Sequence, residues 1–370
     1  MSALPESAVT ALAGLAKDHA PSGITASLVV EPRSNEDLVG IVQSAGDNGA
    51  SLIPVGSGST MQGVVTDIAV VTSGLAEVID YQPDDLTIVV GVGTTLGELE
   101  EVLAERDLSA ILPENAPRRT IGGVVASGTS GYRRLGYGPI RDRVLEVTMV
   151  TGYGEVVRAG GRLVKNVTGY DLSRLATGSL GSLGIITSVC FKLWPVTSEK
   201  QTVIVEDAAA ALLATYRPVA VLETDVGSKV YLQGDPTTIH DQVSRLRGDA
   251  VNGFIWPDAV ESPVRIALNV PPRSVVDAVV EVRSLETDWF VAQHGVGVID
   301  IGMGTFDDEA VGFLRRWTEN RGGSLVVSAP GLTSAQRWGT PPSTIEIQRR
   351  MKNLFDPAGV CNPGVLPGGL

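Results

Sequence analysis

Apolar positions along the chain recur with two different periods, and the alternation predicts a mixed fold. Leu38, Ile41, Val42 and Ala45 fall on one face of a helical repeat that opens at Ser34-Asn35-Glu36-Asp37. The Ser34 hydroxyl can cap that helix, and Asp37 suits its positive end. Thr95-Leu96-Gly97-Glu98 reads as a capping box for a second helix that buries Leu96, Leu99, Val102 and Leu103. Runs rich in Val and Ile predict strands at Ser51 to Val55, Ile68 to Thr72, Leu86 to Val92 and Ile185 to Leu193, the last ended by Trp194-Pro195. Val144 to Val150 and Glu155 to Ala159 predict a hairpin across Gly152-Tyr153-Gly154. Beyond Pro195, strands at Thr202 to Val205, Val219 to Leu222, Lys229 to Leu232, Val264 to Leu268 and Val298 to Ile301 alternate with helices, two of which begin at Ser274 and Asp308. No internal repeat is apparent, and a domain boundary is expected near Val196.

Glycine is the residue that breaks these patterns. The chain has 43 glycines in 370 residues, clustered rather than spread. The first cluster, Val55-Gly56-Ser57-Gly58-Ser59-Thr60-Met61-Gln62-Gly63, follows one strand and precedes another. Backbone N–H groups in such a loop can wrap phosphate oxygens, because glycine permits positive φ and close approach. A surface turn between strands is the competing reading. The context excludes a dinucleotide fingerprint, which leads into a helix, and a P-loop, which needs a lysine after its glycines. Further clusters at Thr120-Ile121-Gly122-Gly123, Ser127-Gly128, Tyr137-Gly138 and Gly181 to Ile185 are hard to explain as turns alone. A long ligand threading between strands accounts for them together.

Charge and cysteine usage narrow the field. A net charge of −13 and a pI near 4.8 argue against a nucleic-acid partner. Cys190 and Cys361 form no C-x-x-C pair, so the chain's own thiols cannot build an iron–sulfur or zinc site, and a reducing compartment is expected. The N-terminus lacks the pattern of a signal peptide and no segment is long and apolar enough for a membrane helix, so a cytoplasmic protein is expected, at most peripheral to the inner face of the cell membrane through partners.

The glycine motifs as a set resemble those of FAD-linked oxidoreductases of the vanillyl-alcohol oxidase / p-cresol methylhydroxylase (PCMH) type. The matching residues are Pro54 to Ser59, Thr120 to Gly123, Ser127-Gly128, Tyr137 to Asp142, Gly161 to Leu172, Gly178 to Thr187 and the tail Phe355 to Gly364. Lys165-Asn166 with Gly169-Tyr170-Asp171 points to the glycolate oxidase subset. The resemblance implies an α+β fold, with a PCMH-type FAD-binding domain of two subdomains (1–196). A smaller α+β, ferredoxin-like cap (197–335) and a C-terminal segment returning to the FAD domain (336–370) would follow. It implies that Val55, Gly56, Ser57, Gly58, Ser59 and Thr60 hold the FAD pyrophosphate. Gly122, Gly123, Ser127, Gly128 and Tyr137 would line the flavin and ribityl path, and Gly184, Ile185 and Ile186 would lie against the adenosine half. Asn362 would sit near the flavin end, and Gly63, Pro113, Thr120 and Gly138 complete the cofactor-binding set. Many relatives attach FAD through a histidine in the first loop. Here Ser59 stands in a loop without histidine, so non-covalent FAD is expected.

The function implied is that of the FAD-binding subunit of a glycolate (2-hydroxy acid) oxidase complex, an FAD-dependent oxidoreductase with a partner flavoprotein subunit and an iron–sulfur subunit. A self-contained FAD-dependent oxidase or dehydrogenase is an alternative, as is a flavin-carrying assembly subunit without its own chemistry. The chain's three histidines are His19, His240 and His294. His294-Gly295-Val296-Gly297 looks like a remnant of a cluster found in relatives, without a second histidine nearby, so no metal is expected. His294 is a candidate catalytic base, or else a hydrogen-bonded structural histidine. Arg133, Arg134 and Arg141 are candidate partners for a carboxylate or a phosphate, or members of a salt-bridged loop. Trp338 and Met351 are expected to pack the C-terminal helix.

Overall fold

The computed structural model describes residues 4–60, 63–162, 171–258 and 260–370. Lys165, Asn166, Gly169 and Tyr170, which point to the glycolate oxidase subset, lie outside the described residues.

Three strands, β1 (Ile24–Val30), β2 (Leu52–Val55) and β3 (Val64–Val71), form a parallel sheet in the order β1-β3-β2. The helix Asn35–Asn48 makes the crossover between β1 and β2. The Ser34 hydroxyl accepts from the Asp37 N–H at 3.1 Å, Gly49 closes the helix at φ 60°, and Leu38, Ile41, Val42 and Ala45 are buried. β3 begins four residues before the strand expected at Ile68, because Val64, Val65 and Thr66 pair in register with β1.

The chain continues through β4 (Val78–Gln82), β5 (Thr87–Gly91), β6 (Leu108–Ser109), β7 (Val144–Thr151), β8 (Val156–Gly160), β9 (Gly184–Lys192) and β10 (Trp194–Pro195). Five of these make an antiparallel sheet in the order β4-β5-β9-β7-β8, while β6 and β10 pair with each other. Trp194-Pro195 therefore does more than stop a strand. The capping box forms at Thr95 and Glu98 and opens the helix Leu96–Ala104. One apolar core runs through both sheets and includes Leu38, Val70, Ile88, Leu99, Val124, Val150, Val189 and Cys361.

β11 (Glu199–Val205), β12 (Ala220–Thr224), β13 (Gly227–Gly234), β14 (Asp249–Asn252), β15 (Val264–Asn269), β16 (Trp289–Gln293), β17 (Val298–Met303) and β18 (Ser324–Ser328) form an eight-stranded antiparallel sheet. Its order is β14-β11-β13-β12-β16-β17-β15-β18. Each half is a βαββαβ unit. The first carries the helices Ala208–Ala214 and Pro236–Leu246, the second Val275–Arg283 and Asp308–Glu319. The halves have the same strand order and meet where β12 pairs with β16, at Leu222↔Gln293 to Thr224↔Val291. The cap is thus a duplicated ferredoxin-like unit, although no repeat is apparent in the sequence. The topology depends on the alternation of apolar positions and turns, which two dissimilar sequences can share.

Strand alternation gives this sheet two faces. In the second half, Ile266, Leu268, Phe290, Ala292, Ile299, Ile301, Leu325 and Val327 pack against the helices through Ala278, Val282, Leu314 and Trp317. The intervening residues, Arg265, Ala267, Asn269, Trp289, Gln293 and Asp300 among them, face the glycine-rich loops of the first half of the chain. On the first half, Val219, Leu222 and Tyr231 meet Tyr132 and Tyr137 from one of those loops. The C-terminal tail crosses back. Leu52 N–H donates to the Val360 carbonyl at 2.8 Å and Asn362 N–H to the Leu52 carbonyl at 2.7 Å, which extends the edge of β2.

Candidate functional site

Two adjoining cavities lie where the glycine clusters converge. The first is a groove lined by Val55 to Thr60, Gly122, Gly123, Ala126, Ser127, Leu180 and Gly181, with Ile24, Val92 and Ile186 as apolar walls. β2 delivers the first loop to the start of the helix Ile121–Ser127. The Thr120 hydroxyl caps that helix by accepting from the Gly123 N–H at 3.3 Å. Several glycines here are required by neighbours inside the chain. A Cβ on Gly56 would overlap the Thr120 hydroxyl, one on Gly122 would meet Val92 Cβ at 2.9 Å, and one on Gly181 would press on the Pro54 ring. At Gly178 no atom stands within 4 Å of the same position. The glycines let three loops close on one another, and what remains is a narrow groove edged by backbone and hydroxyl groups. Such a groove fits an elongated phosphate-bearing ligand.

The second cavity, about 670 Å³, lies between the glycine-rich loops and the eight-stranded sheet and shares Thr60, Ser127 and Leu180 with the groove. Its size suits a small-molecule site. Pro113, Glu114, Arg119, Gly128, Tyr132 and Arg134 line it from the loops. Arg265, Trp289, Gln293 and Asp300 line it from the cap, and Arg337, Trp338 and Val365 from the C-terminal segment.

Charge in this cavity is unevenly paired. Glu114 is committed, accepting from Arg133 Nε at 2.7 Å and from the Tyr132 N–H at 2.7 Å. Arg119 has hydroxyl partners in place of a carboxylate. Its Nη2 lies 3.4 Å from Thr60 Oγ1, 3.5 Å from Ser127 Oγ and 3.2 Å from Thr129 Oγ1, and its buried Nε has no partner among the described residues. Burial and then the nearby Arg265 push the Arg119 guanidinium down to about 10. Arg134, Arg265 and Arg337 likewise have no carboxylate within 4.0 Å among the described residues, and burial first of all holds Arg134 and Arg337 below the usual guanidinium range. The cap brings two carboxylates to the cavity, the exposed Asp258 and the more enclosed Asp300. Gln293 Nε2 approaches it at 3.5 Å, and burial pushes it up to about 6 against the opposing pull of Gln293 and Arg265.

The residues singled out in the sequence are not all gathered here. Val55 to Thr60, Gly122, Gly123, Ser127 and Ile186 line the groove, and Pro113 and Gly128 line the larger cavity. Ile185 shares the apolar core with Ile186 but lines neither cavity, and a Cβ on Gly184 would collide with the Val150 carbonyl. Gly63 packs near Pro330. Tyr137 sets its ring edge-on against Trp194 at 5.5 Å and its hydroxyl on Gln233, and neighbouring Gly138 ends its short helix at φ 76°. Asn362 Nδ2 donates to the Leu180 carbonyl at 2.6 Å, one residue removed from the groove wall. His294 lines neither cavity. It is 3% exposed, and its Nε2 lies 2.9 Å from Glu223 Oε2. Arg133 is the salt-bridged loop residue, Arg141 is exposed, and Trp338 lines the cavity while its Nε1 donates to the Val365 carbonyl at 2.8 Å.

Arg119, Arg265, Gln293 and Asp300 were not anticipated. Asp300 had a visible signal, a lone acid alternating with Val298, Ile299 and Ile301 in a strand. Arg119 and Arg265 carried none, because a surface arginine in a loop or a strand reads the same. Among the described residues no group of three or more His, Cys, Asp or Glu could hold a metal ion, and no helix is long and apolar enough to cross a membrane.

A family profile described as "FAD binding domain" matches residues 26–160, the segment that supplies most of the groove. The chain is 28% identical to glycolate oxidase subunit GlcE of Escherichia coli (strain K12), over 78% of this chain and 83% of that protein. It carries an FAD-binding domain and is an FAD-dependent oxidoreductase. FAD is accordingly its cofactor, and the groove is where the residues fit it. The chain is also 25% identical to a D-lactate dehydrogenase of Archaeoglobus fulgidus, over 93% of this chain and 92% of that one. It is 30% identical to glycolate oxidase subunit GlcD of Bacillus subtilis (strain 168), over 48% of this chain but only 38% of the relative. The α+β architecture is shared with Physcomitrella patens BBE-like 1, at a TM-score of 0.65 and 16% identity over 91% of this chain and 90% of that one. An alkyldihydroxyacetonephosphate synthase superposes with a TM-score of 0.65 at 19% identity, over 91% and 75% of the two chains. At these identities the two structures speak for the fold alone.

Proposed function

We propose that this chain is the FAD-binding subunit of a glycolate (2-hydroxy acid) oxidase-type complex and that the hydroxy acid is bound in the cavity between the FAD domain and the cap. The observation that carries the reading is Arg119, a guanidinium enclosed beside the cofactor groove with hydroxyls but no carboxylate around it. A buried cation is stable when an anion completes it, and a planar fork suits a carboxylate. Arg265 faces it from the cap. The two arginines would hold the acid's carboxylate, and Tyr132 and Trp289 would wall the carbon chain. Bound FAD supplies the two-electron acceptor chemistry. The names of the glycolate oxidase and D-lactate dehydrogenase relatives support the same substrate class.

FAD is held without a covalent bond in this proposal, since the first loop offers Ser59 and no histidine. Passing electrons onward as single equivalents falls to partners, a second flavoprotein and an iron–sulfur subunit. Cys190 and Cys361 are both buried, and burial pushes their thiols up to about 11 and about 12, which suits them to packing rather than to cluster ligation. Two measurements test the reading. Anaerobic addition of glycolate or D-lactate to the FAD-loaded chain is expected to bleach the flavin, and a flavin that stays oxidised with every 2-hydroxy acid tried overturns the substrate class. Capture of the tagged chain from its native cells is expected to bring an iron–sulfur protein with it; isolation as a lone protein that turns over with a soluble acceptor overturns the complex.

A further inference from the structure

Oxidising a 2-hydroxy acid to a 2-oxo acid removes two hydrogens from the carbinol. Bound FAD would take the C–H hydrogen with its electron pair, and the O–H hydrogen would leave as a proton to a base. The proton needs an acceptor within reach of the hydroxyl. His294, the obvious candidate by residue type, has its Nε2 occupied by Glu223 and lines neither cavity. Glu114 is held by Arg133 and the Tyr132 N–H. Asp258 is exposed.

We propose that Asp300, on β17 of the cap, is the group that takes the hydroxyl proton. This rests on the 2-hydroxy acid reading above. β17 alternates Ile299 and Ile301 into the helix-covered core with Asp300 into the cavity. The carboxyl faces Arg265 from β15, Gln293 from β16 and Tyr132 from the loops opposite, and shares the cavity with Glu114 and Arg119. Among the described residues its one hydrogen bond is the long contact from Gln293 at 3.5 Å, which leaves it lone pairs for a substrate hydroxyl. Arg265 sits near enough to Asp300 and Arg119 to act electrostatically on both. A carboxylate bound between the arginines would therefore set its α-hydroxyl close to Asp300. Burial poises this carboxyl near neutrality, where a base is ionised yet still basic.

The test uses the FAD-loaded chain and Asp300→Asn. Anaerobic flavin reduction by D-lactate or glycolate is expected to fall in the wild type as the pH drops below about 6, and to slow by about a hundredfold or more in Asp300→Asn with that pH dependence lost. Oxalate, a non-reacting dianion over this range, gives a second readout through the flavin absorbance shift on binding. It is expected to bind the wild type about tenfold tighter near pH 5 than near pH 8, because ionised Asp300 repels it, and to bind Asp300→Asn equally well at both. Reduction of Asp300→Asn at the wild-type rate overturns the proposal and leaves the substrate reading intact. A wild-type flavin that no hydroxy acid reduces overturns both. If the variant fails to hold FAD, the wild-type profile decides: oxalate affinity or a reduction rate that is flat across pH 6 overturns the role of Asp300.

Discussion

Glu223 and His294 close the joint between the two halves of the cap sheet. Glu223 lies on β12, the edge strand of the first βαββαβ unit, and His294 directly follows β16 of the second. Their side chains meet at 2.9 Å while the His294 N–H donates to the Val221 carbonyl at 2.9 Å. Arg283 adds a contact to the same carboxylate at 3.1 Å and another to the Thr224 carbonyl at 3.0 Å. The joint has only three paired residues, Leu222 to Thr224. These side chains therefore supply part of what the short ladder lacks.

His294→Leu is expected to lower stability by about 1–3 kcal/mol, the cost of stranding a partly buried hydrogen-bond partner. Flavin reduction by hydroxy acid should stay within about twofold of the wild type, since the residue lines neither cavity. The His294 hydrogen bond first, and Arg283 after it, hold the Glu223 carboxyl below its ordinary 4.5. A lowered folded-state value stabilises the fold above that pH and loses its effect as the pH falls through the lower value. The gap in Tm between wild type and variant should therefore narrow in acid. A variant as stable as the wild type at neutral pH would remove the joint from the account.

Lys352→Met tests how the tail is fastened. Lys352 and Asp356, one helical turn apart, are 7% and 0% exposed in their side chains. The ammonium also donates to the Ser182 carbonyl at 2.7 Å and to the Cys361 carbonyl, and Asp356 accepts from the Val360 and Cys361 N–H groups. Removing the cation strands a buried carboxylate, with an expected loss of about 3–5 kcal/mol. Because Ser182 sits beside Leu180 and Gly181 of the groove, FAD affinity should fall with stability. Urea unfolding and flavin titration of the apoprotein measure the two effects, and unchanged FAD affinity would uncouple tail from groove.

Gly56→Ala is expected to yield a largely colourless protein. The added methyl overlaps the Thr120 hydroxyl, so either the first loop or the cap of the helix Ile121–Ser127 must move. The flavin-to-protein absorbance ratio after purification reads the loss directly. On the wild type the same assay, after acid precipitation, should find all the flavin in the supernatant. Yellow colour held in the pellet would mean a covalent link.

These positions show why the site was partly readable in advance. Loop glycines that pack against Thr120, Val92 and Pro54 leave a signal in sequence, because no other residue fits. Helices announce themselves through caps such as Ser34 and Thr95, and their apolar faces recur at the spacing the core demands. The joining of two βαββαβ units was not legible, since it depends on which edge strands meet. Nor was the gathering around one cavity of Arg119, in a loop of the first domain, with Arg265 and Asp300, on strands of the cap. Long-range juxtaposition is a property of the assembled chain, and the residues it brings together are the polar ones that periodicity assigns to the surface. His294 illustrates the converse. Its residue type suggested chemistry, and its neighbours give it a joint to hold.

The environment of Asp300 carries a consequence for stability that does not depend on flavin or substrate. Burial raises the carboxyl from its ordinary 3.8 to about 6, so the folded protein holds the proton more tightly than the unfolded chain. The resulting stabilisation is complete below about pH 4 and is lost as the pH rises through 6. Above that pH the wild type keeps an ionised carboxylate in a partly dehydrated cavity, with Arg265 near but not in contact. Asp300→Asn keeps the shape and removes the charge. The variant should match the wild type near pH 4 and exceed it at pH 8 by about 1–3 kcal/mol, a rise of a few degrees in Tm for a chain of this size. Thermal unfolding of the apoprotein at the two pH values reads this difference. A variant less stable than the wild type at pH 8 would mean that Arg265 outweighs the burial of Asp300, and that the cavity holds this pair as a salt bridge rather than as a receptive base beside an anion site.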